Sequence, residues 1–323
     1  MIRPFAYLVP LYAAALAAKN TAYQRGWTTP QHLSWPVVSV GNLSVGGSGK
    51  TPLVIRLAQL LAAENISVDV LSRGYGRRDT SLIERVNPEG EAARYGDEPL
   101  LIARAANVPV YVGASRYQAG LLAERKASHH GIHLLDDGFQ HRKLARAIDI
   151  VVLHSSDSAD TLLPAGRLRE PLSALSRASI IVLRAEDRAL EQELRKRGIT
   201  APIWIQHRQL IAENVTRAVA FCGIARPDEF FSALRSQQID LAETIALPDH
   251  HHYSPANLSR LTTALRQSNA QCFITTEKDA ARLTPQQRET LEKIAPLHIA
   301  RLEVALENEP AILDQLLALI MRK

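Results

Sequence analysis

The densest chemistry in this 323-residue chain lies at Gly41-Asn42-Leu43-Ser44-Val45-Gly46-Gly47-Ser48-Gly49-Lys50-Thr51. A phosphate loop of the GxxxxGK[ST] type cradles nucleotide phosphates in inward-facing backbone N–H groups. Its Lys reaches the β- and γ-phosphates and its hydroxyl binds Mg²⁺. Gly49-Lys50-Thr51 matches the end of that pattern, while Ser44 stands where the opening Gly is expected. Gly46 and Gly47 still let the backbone turn inward. Ser44, Val45, Gly46, Gly47, Ser48, Gly49, Lys50 and Thr51 therefore read as an ATP-binding loop. A second acidic group fits the same geometry. The apolar run Ile132-His133-Leu134-Leu135 ends in Asp136-Asp137-Gly138. A carboxylate at the end of a buried parallel strand holds Mg²⁺ opposite the loop Thr. The two Asp side chains project differently, and the sequence leaves open which one meets the metal. A plain strand-end turn is the competing reading, since Asp-Gly is common there.

These groups need a scaffold, and the apolar pattern supplies one. Short β-branched runs at 37–41, 66–71, 108–112, 132–136, 148–153 and 179–183 alternate with helical patterns such as 51–63, 97–106 and 115–127. Continuous apolar strands separated by helices indicate a parallel sheet covered on both faces. The alternation resumes with strands at 217–222, 271–275 and 296–302, helices at 227–237 and 255–267, and a closing helix at 309–321. The expected fold is α/β: a phosphate-loop NTPase-like parallel sheet with helices on both faces, plus a smaller C-terminal α/β domain. The expected boundaries are 26–205 for the larger domain, 206–216 for an extended linker and 217–323 for the smaller one. A cleft between two domains is a common ligand site.

Composition narrows the class. Charged residues make up 22% and hydrophobic ones 46%, which excludes a disordered chain. Cys222 and Cys272 show neither CxxC nor Cys/His ligand spacing, so no disulfide framework or zinc module is indicated. A formal net charge of +5 leans toward anionic partners without identifying nucleic acid. Residues 4–18, PFAYLVPLYAAALAA, carry no charge and are flanked by Arg3, Lys19 and Arg25. A spanning helix needs ~20 apolar residues, and this run is shorter and contains Pro10. Residues 1–25 are read as a helix lying on the cytosolic membrane face, with Tyr7, Tyr12 and Trp27 near headgroup level. A buried first helix and an export signal are the alternatives; a loop for cytosolic nucleotide argues against export.

Asp136-Asp137-Gly138-Phe139-Gln140-His141 resembles a signature of the tetraacyldisaccharide 4′-kinases, the lipid A 4′-kinases. Further blocks agree in order along most of the chain. They are Gly41-Asn42-Leu43-Ser44 running into Gly49-Lys50-Thr51-Pro52, then Ser72-Arg73-Gly74-Tyr75-Gly76, Gly96-Asp97-Glu98-Pro99, Leu163 to Pro171 (LPAGRLREP), Asp249-His250-His251 and Thr276-Glu277-Lys278-Asp279. The Walker end alone is generic; DDGFQH and LPAGRLREP together are specific. Ser44 departs from the general loop but fits this family's own. The resemblance implies transfer of the ATP γ-phosphate to the 4′-hydroxyl of a tetraacyl glucosamine disaccharide 1-phosphate. The product would be the bisphosphorylated lipid A precursor, lipid IVA, made at the cytosolic face of a Gram-negative inner membrane by a peripheral or monotopic enzyme. No nucleic acid and no obligate protein partner are implied.

The resemblance also sorts the remaining candidates. A sugar hydroxyl is a poor nucleophile at neutral pH, so a carboxylate that accepts its proton helps. Asp97, at a helix start, is taken as that base. Locally, Asp97 and Glu98 read first as acids favouring a helix N-terminus; the resemblance reverses that order. The family pairing points to His250 as the partner of Asp97, with Lys50 completing the catalytic set. Glu98 joins Thr51, Asp136 and Asp137 as a candidate metal ligand. Arg73, Tyr75, Arg116, Arg169 and Glu170 are candidates for binding the phosphorylated sugar, because Arg engages phosphate bidentately. A membrane-associated switch ATPase is the main competing class. It often carries an extra Lys early in the loop, where this chain has Ser44, Val45 and Gly46.

Overall fold

The computed structural model describes residues 5–47, 49–127 and 129–322. Ser48 of the loop and Arg3 of the N-terminal segment lie outside the described residues. Twelve strands among the described residues form one sheet: β1 (Val37–Asn42), β2 (Val68–Ser72), β3 (Glu84–Arg85), β4 (Val110–Val112), β5 (Ile132–Asp136), β6 (Ile148–Leu153), β7 (Ile180–Arg184), β8 (Ile203–Ile211), β9 (Ala218–Cys222), β10 (Leu241–Ala246), β11 (Cys272–Thr276) and β12 (Leu297–Leu306). Their order is β10-β9-β11-β12-β8-β7-β6-β1-β5-β2-β4-β3. Pairing is parallel throughout except at β3/β4 and at the junction of β8 with β12. Two parallel half-sheets thus meet along one antiparallel seam, and β8 belongs to both: it runs beside β7 up to Gln206 and beside β12 from there to Ile211.

Both faces of each half are covered, and the residue alternation shows why. Ile150, Val152, Ile180 and Val182 face one core with the helix Lys50–Ala63, whereas Val151, Leu153, Ile181 and Leu183 face a second core. Successive side chains in a strand point to opposite faces, so apolar residues at every position need a layer on each side. The helix Lys50–Ala63 buries Leu53, Val54, Leu57, Ala58 and Leu61, an i, i+3, i+4 stripe. The smaller half repeats the plan, with Val219, Phe221 and Phe273 on one side and Ala218, Ala220, Cys222 and Ile274 on the other.

Two features depart from the sequence pattern. The strand Leu241–Ala246 reads LAETIA, with little β-branching, and was not expected. It is the outermost strand of the smaller half and mostly half-exposed, so packing demands little of its side chains. The closing helix Glu309–Met321 packs Ile312, Leu313 and Leu316 into the core of the larger half, where Gln315 accepts a 2.7 Å hydrogen bond from the Trp204 indole.

At the other end, the helix Val9–Gln24 has no buried residue. It is not a buried core helix. Polar contacts tie it down: Tyr12 Oη donates to the Arg169 carbonyl at 3.0 Å, and Arg142 donates to Asn20 Oδ1 at 2.8 Å while lying over the Tyr23 ring. Phe5, Tyr7, Leu11 and Trp27 remain exposed. No helix among the described residues is long and apolar enough to cross a membrane.

Candidate active site

The C-terminal ends of β1, β2 and β5 and of β11 all open into one cavity of about 900 Å³. Its floor is the phosphate loop. Gly46 and Gly49 have φ of 98° and 80°, backbone that a side chain would strain, and Gly49 caps the helix Lys50–Ala63. Residues of the LPAGRLREP block brace the loop from outside. Val45 N donates to the Arg167 carbonyl at 2.8 Å, and Ser44 bridges to Leu168. Asn42, at the end of β1, organises the interior. Its side-chain amide donates to the Ser44 carbonyl at 2.8 Å, and its Oδ1 accepts from Lys50 Nζ at 2.9 Å and from Arg169. The sequence signal for this role of Asn42 is its position at a strand end beside the loop.

The two neighbouring aspartates are sharply different. Asp137 is bidentate to Arg169 at 2.8 and 2.9 Å and lies 3.4 Å from Lys50. Burial opposes its charge, but Lys50 and Arg169 hold its carboxyl well below the usual range. Asp136 is buried and accepts only a 3.2 Å bond from Ser72 Oγ; its Oδ1 has no hydrogen-bond partner among the described residues. Burial, with the charges of Glu98 and Asp137, pushes it up to about 7. A buried carboxylate oxygen left open among other carboxylates, in the cavity that Thr51 also lines, suits a hard cation with oxygen ligands. The residues therefore fit Mg²⁺.

A second wall is assembled from distant parts of the chain, with Glu98, His250 and Lys278 on the cavity lining. Asp97 begins the helix Asp97–Ala105; it is buried and does not itself line the cavity. His250 Nδ1 lies 3.0 Å from its Oδ2, and Arg282 Nε donates to the same oxygen at 2.9 Å. Burial penalises the Asp97 charge, but the His250 hydrogen bond and the charges of Arg282 and Lys278 outweigh it and hold the carboxyl well below its usual range. His250 is raised in turn by that hydrogen bond. The raised His250 and the lowered Asp97 both favour the imidazolium–carboxylate form of the pair. Arg282 is itself anchored to Asp279, which also accepts from Gly223 N and Tyr253 Oη, both at 2.9 Å. Arg282 was missed in the sequence; nothing local distinguishes a lone Arg on a helix.

Other candidates separate. Glu98 lines the cleft but is ion-paired with Lys278. Arg73 and Tyr75 line it as well, and the Tyr75 ring packs edge-on against His250 with centroids 5.1 Å apart. Arg116 is buried at the cleft, with its Nε unpartnered among the described residues. Burial, then the charge of Arg73, lowers it to about 10. Arg169 serves Asp137 and Asn42. Glu170 is not on the cleft: it is buried and accepts from Arg177 at 2.8 Å.

A phosphate-loop motif and a buried carboxylate held by an imidazole that lines the same cavity are the parts that phosphoryl transfer to a hydroxyl calls for. The fold and the site place the protein among the phosphate-loop kinases. A sequence profile of the family tetraacyldisaccharide-1-P 4′-kinase matches residues 1–321. The chain belongs to that family. It is 42% identical to the tetraacyldisaccharide 4′-kinase of Koribacter versatilis, over 98% of each chain, and 38% identical to that of Geobacter metallireducens, over 91% of each. A crystal structure of LpxK from Aquifex aeolicus in complex with ATP superposes with a TM-score of 0.77 at 33% identity, covering 100% of this chain and 99% of that one.

Proposed function

We propose a division of labour for the phosphorylation of the lipid A precursor at its 4′ position, the activity of this chain's family. ATP enters with its phosphates on the loop 44–51. Lys50 neutralises the charge that develops as the γ-phosphoryl group leaves. Asn42 fixes the Lys50 ammonium, and Arg169 fixes Asp137 beside it. Mg²⁺ would be held first by Asp136 and Thr51, because Asp137 and Glu98 are already engaged by cations; it would supply charge neutralisation at the phosphates.

On the acceptor side, Asp97 takes the proton of the 4′-hydroxyl. So strongly stabilised a carboxylate is a weak base at rest. It gains basicity when substrate displaces water and the hydroxyl arrives in line, and His250 orients the carboxylate and holds its charge. Arg73 and Arg116, whose guanidinium groups crowd one another, form the anionic subsite for the phosphorylated sugar, with Tyr75 as a lid. The bodies 26–205 and 217–323, joined through 206–216, are read as two domains closing on the cleft, with the last helix docked on the larger one. The segment 1–25 is read as a peripheral attachment to the cytosolic face of the inner membrane, through Phe5, Tyr7 and Leu11, with Trp27 just beyond it.

The observation that carries this reading is the contact of Asp97 with His250, which lines the same cavity as the phosphate loop. The test supplies ATP, Mg²⁺ and a monophosphorylated tetraacyl disaccharide, and follows labelled phosphate. Transfer into the lipid is expected; release into water alone would point to a switch ATPase.

A further inference from the structure

Arg208 lines the cleft and has no part in the roles above. Arg208 lies on β8 just past Gln206, where pairing with β7 ends; Val304 of β12 stands opposite it. Its guanidinium reaches over the phosphate loop. A Cβ placed on Gly49 would meet Arg208 Cζ at 3.5 Å, Nη1 at 3.6 Å and Nε at 3.7 Å. Gly49 caps the helix whose N-terminus faces the phosphates.

The neighbouring charges explain why this guanidinium is available. Arg184 is held by Asp187 at 2.7 Å and Glu186 at 3.2 Å, and Arg226 by Glu229 at 2.7 Å. The acids whose charges act on Arg208, Glu229 and Glu186, are therefore already shared with other arginines. Arg208 Nε is buried and has no hydrogen-bond partner among the described residues. Burial lowers its pKa, and the charges of Glu186 and Glu229 only partly offset that. Arg208 is half-buried, and a guanidinium whose Nε is buried without a partner is costly until an anion meets it. Its planar fork fits a phosphate with two parallel hydrogen bonds.

We infer that Arg208 is a phosphate-binding residue of the nucleotide site, bringing its guanidinium to the polyphosphate of ATP from the strand that joins the two half-sheets. The inference rests on the loop 44–51 being the ATP site. It adds a consequence: because β8 pairs with strands of both halves, this side chain gives nucleotide bound at the loop a further link to the smaller half.

The test measures ATP and adenosine binding to the full-length wild type, Arg208→Met, Arg208→Lys and Lys50→Ala. Titration calorimetry suits ATP, and ligand-observed NMR suits the weaker adenosine. Arg208→Met should weaken ATP by about tenfold or more, the range of a lost charge-assisted contact, and leave adenosine unchanged. Arg208→Lys should lie between the two, since a point charge replaces the fork. If the Met variant does not fold, the Lys variant carries the comparison by itself. Unchanged ATP affinity in the Arg208 variants, or equal losses for ATP and adenosine, would overturn the assignment. If Lys50→Ala weakens ATP and the Arg208 variants do not, only Arg208 falls. If Lys50→Ala keeps full ATP affinity, the loop is not the nucleotide site and both readings fall.

Discussion

The two walls of the cleft are built by opposite means. The phosphate wall is local: Asn42, Gly46, Gly49, Lys50 and Thr51 come from one strand–loop–helix unit, and Asp136 and Asp137 from the strand β5 paired beside β1. The acceptor wall is remote: Asp97 meets His250 and Arg282, which lie 153 and 185 residues away along the chain. A wall made by neighbouring backbone is preformed once its strand is in place. A wall made by distant side chains exists only while the two halves of the sheet stay in register, and its charges hold that register. The phosphate wall should therefore tolerate side-chain loss in structure but not in rate, whereas the acceptor wall should couple rate to the contact between the halves.

The largest effect is expected on the phosphate wall. Lys50→Ala should lower kcat/KM by about 10³-fold or more, because transition-state charge loses its nearest cation. Its melting temperature should stay near that of the wild type. A cooperative loss of fold would show that the loop is not independently formed.

Next comes the remote wall. Asp97→Asn and His250→Ala should each slow phosphoryl transfer by about 10²- to 10⁴-fold. If they act as a unit, the double variant should match the slower single one. Steady-state rates that multiply would remove the unit. Within the acidic pair, Asp136→Asn should raise the Mg²⁺ concentration needed for half-maximal rate more than Asp137→Asn does, since only Asp136 has an open oxygen. The reverse order, read from rate against Mg²⁺ titrations, would transfer the metal to Asp137.

A smaller effect concerns attachment. Removing residues 1–25 deletes the exposed Phe5, Tyr7 and Leu11 and leaves the loop and the acidic pair in place. At ~1.5–3 kcal/mol for each buried apolar side chain, these residues suffice for reversible membrane binding. The truncated protein should keep ATP affinity and lose co-sedimentation with anionic vesicles. Equal sedimentation of both forms would place membrane contact elsewhere.

The smallest effect is in stability against pH. Because the folded pKa of His250 is raised, its contribution is complete below the ordinary His value and is lost as pH rises through the raised one. Because that of Asp97 is depressed, its share is present above the ordinary Asp value and is lost only as pH falls through the depressed one. His250→Gln should therefore destabilise by about 1 kcal/mol, allowing for the partly exposed ring, most strongly near pH 5–6 and less at higher pH. Thermal melts of both proteins across that range decide it; a difference independent of pH would mean that the contact carries no charge.

How much was legible follows the same division. The parallel core was readable because a strand buried on both faces must be apolar at every position, as in Ile148–Leu153. The loop was readable because phosphate binding requires glycines and a Lys at fixed spacing. The edge strand Leu241–Ala246 was not, since a half-exposed edge imposes no such pattern. The docking of the helix Glu309–Met321 on the larger half was not legible either, because an amphipathic helix does not state which apolar surface it will cover. Glu170 looked like its neighbour Arg169 in one motif, yet the chain turns it away to Arg177. The contrast between Asp136 and Asp137 was invisible in two identical adjacent letters; cations from Lys50 and Arg169 reach one and not the other. Arg208 and Arg282 carried no local signal at all. By itself the sequence determined the elements and the local phosphate cradle, whose geometry depends on backbone conformation within a few residues. Only the tertiary structure decided which charges meet, because charge pairing depends on distance and burial between residues that the chain order keeps far apart.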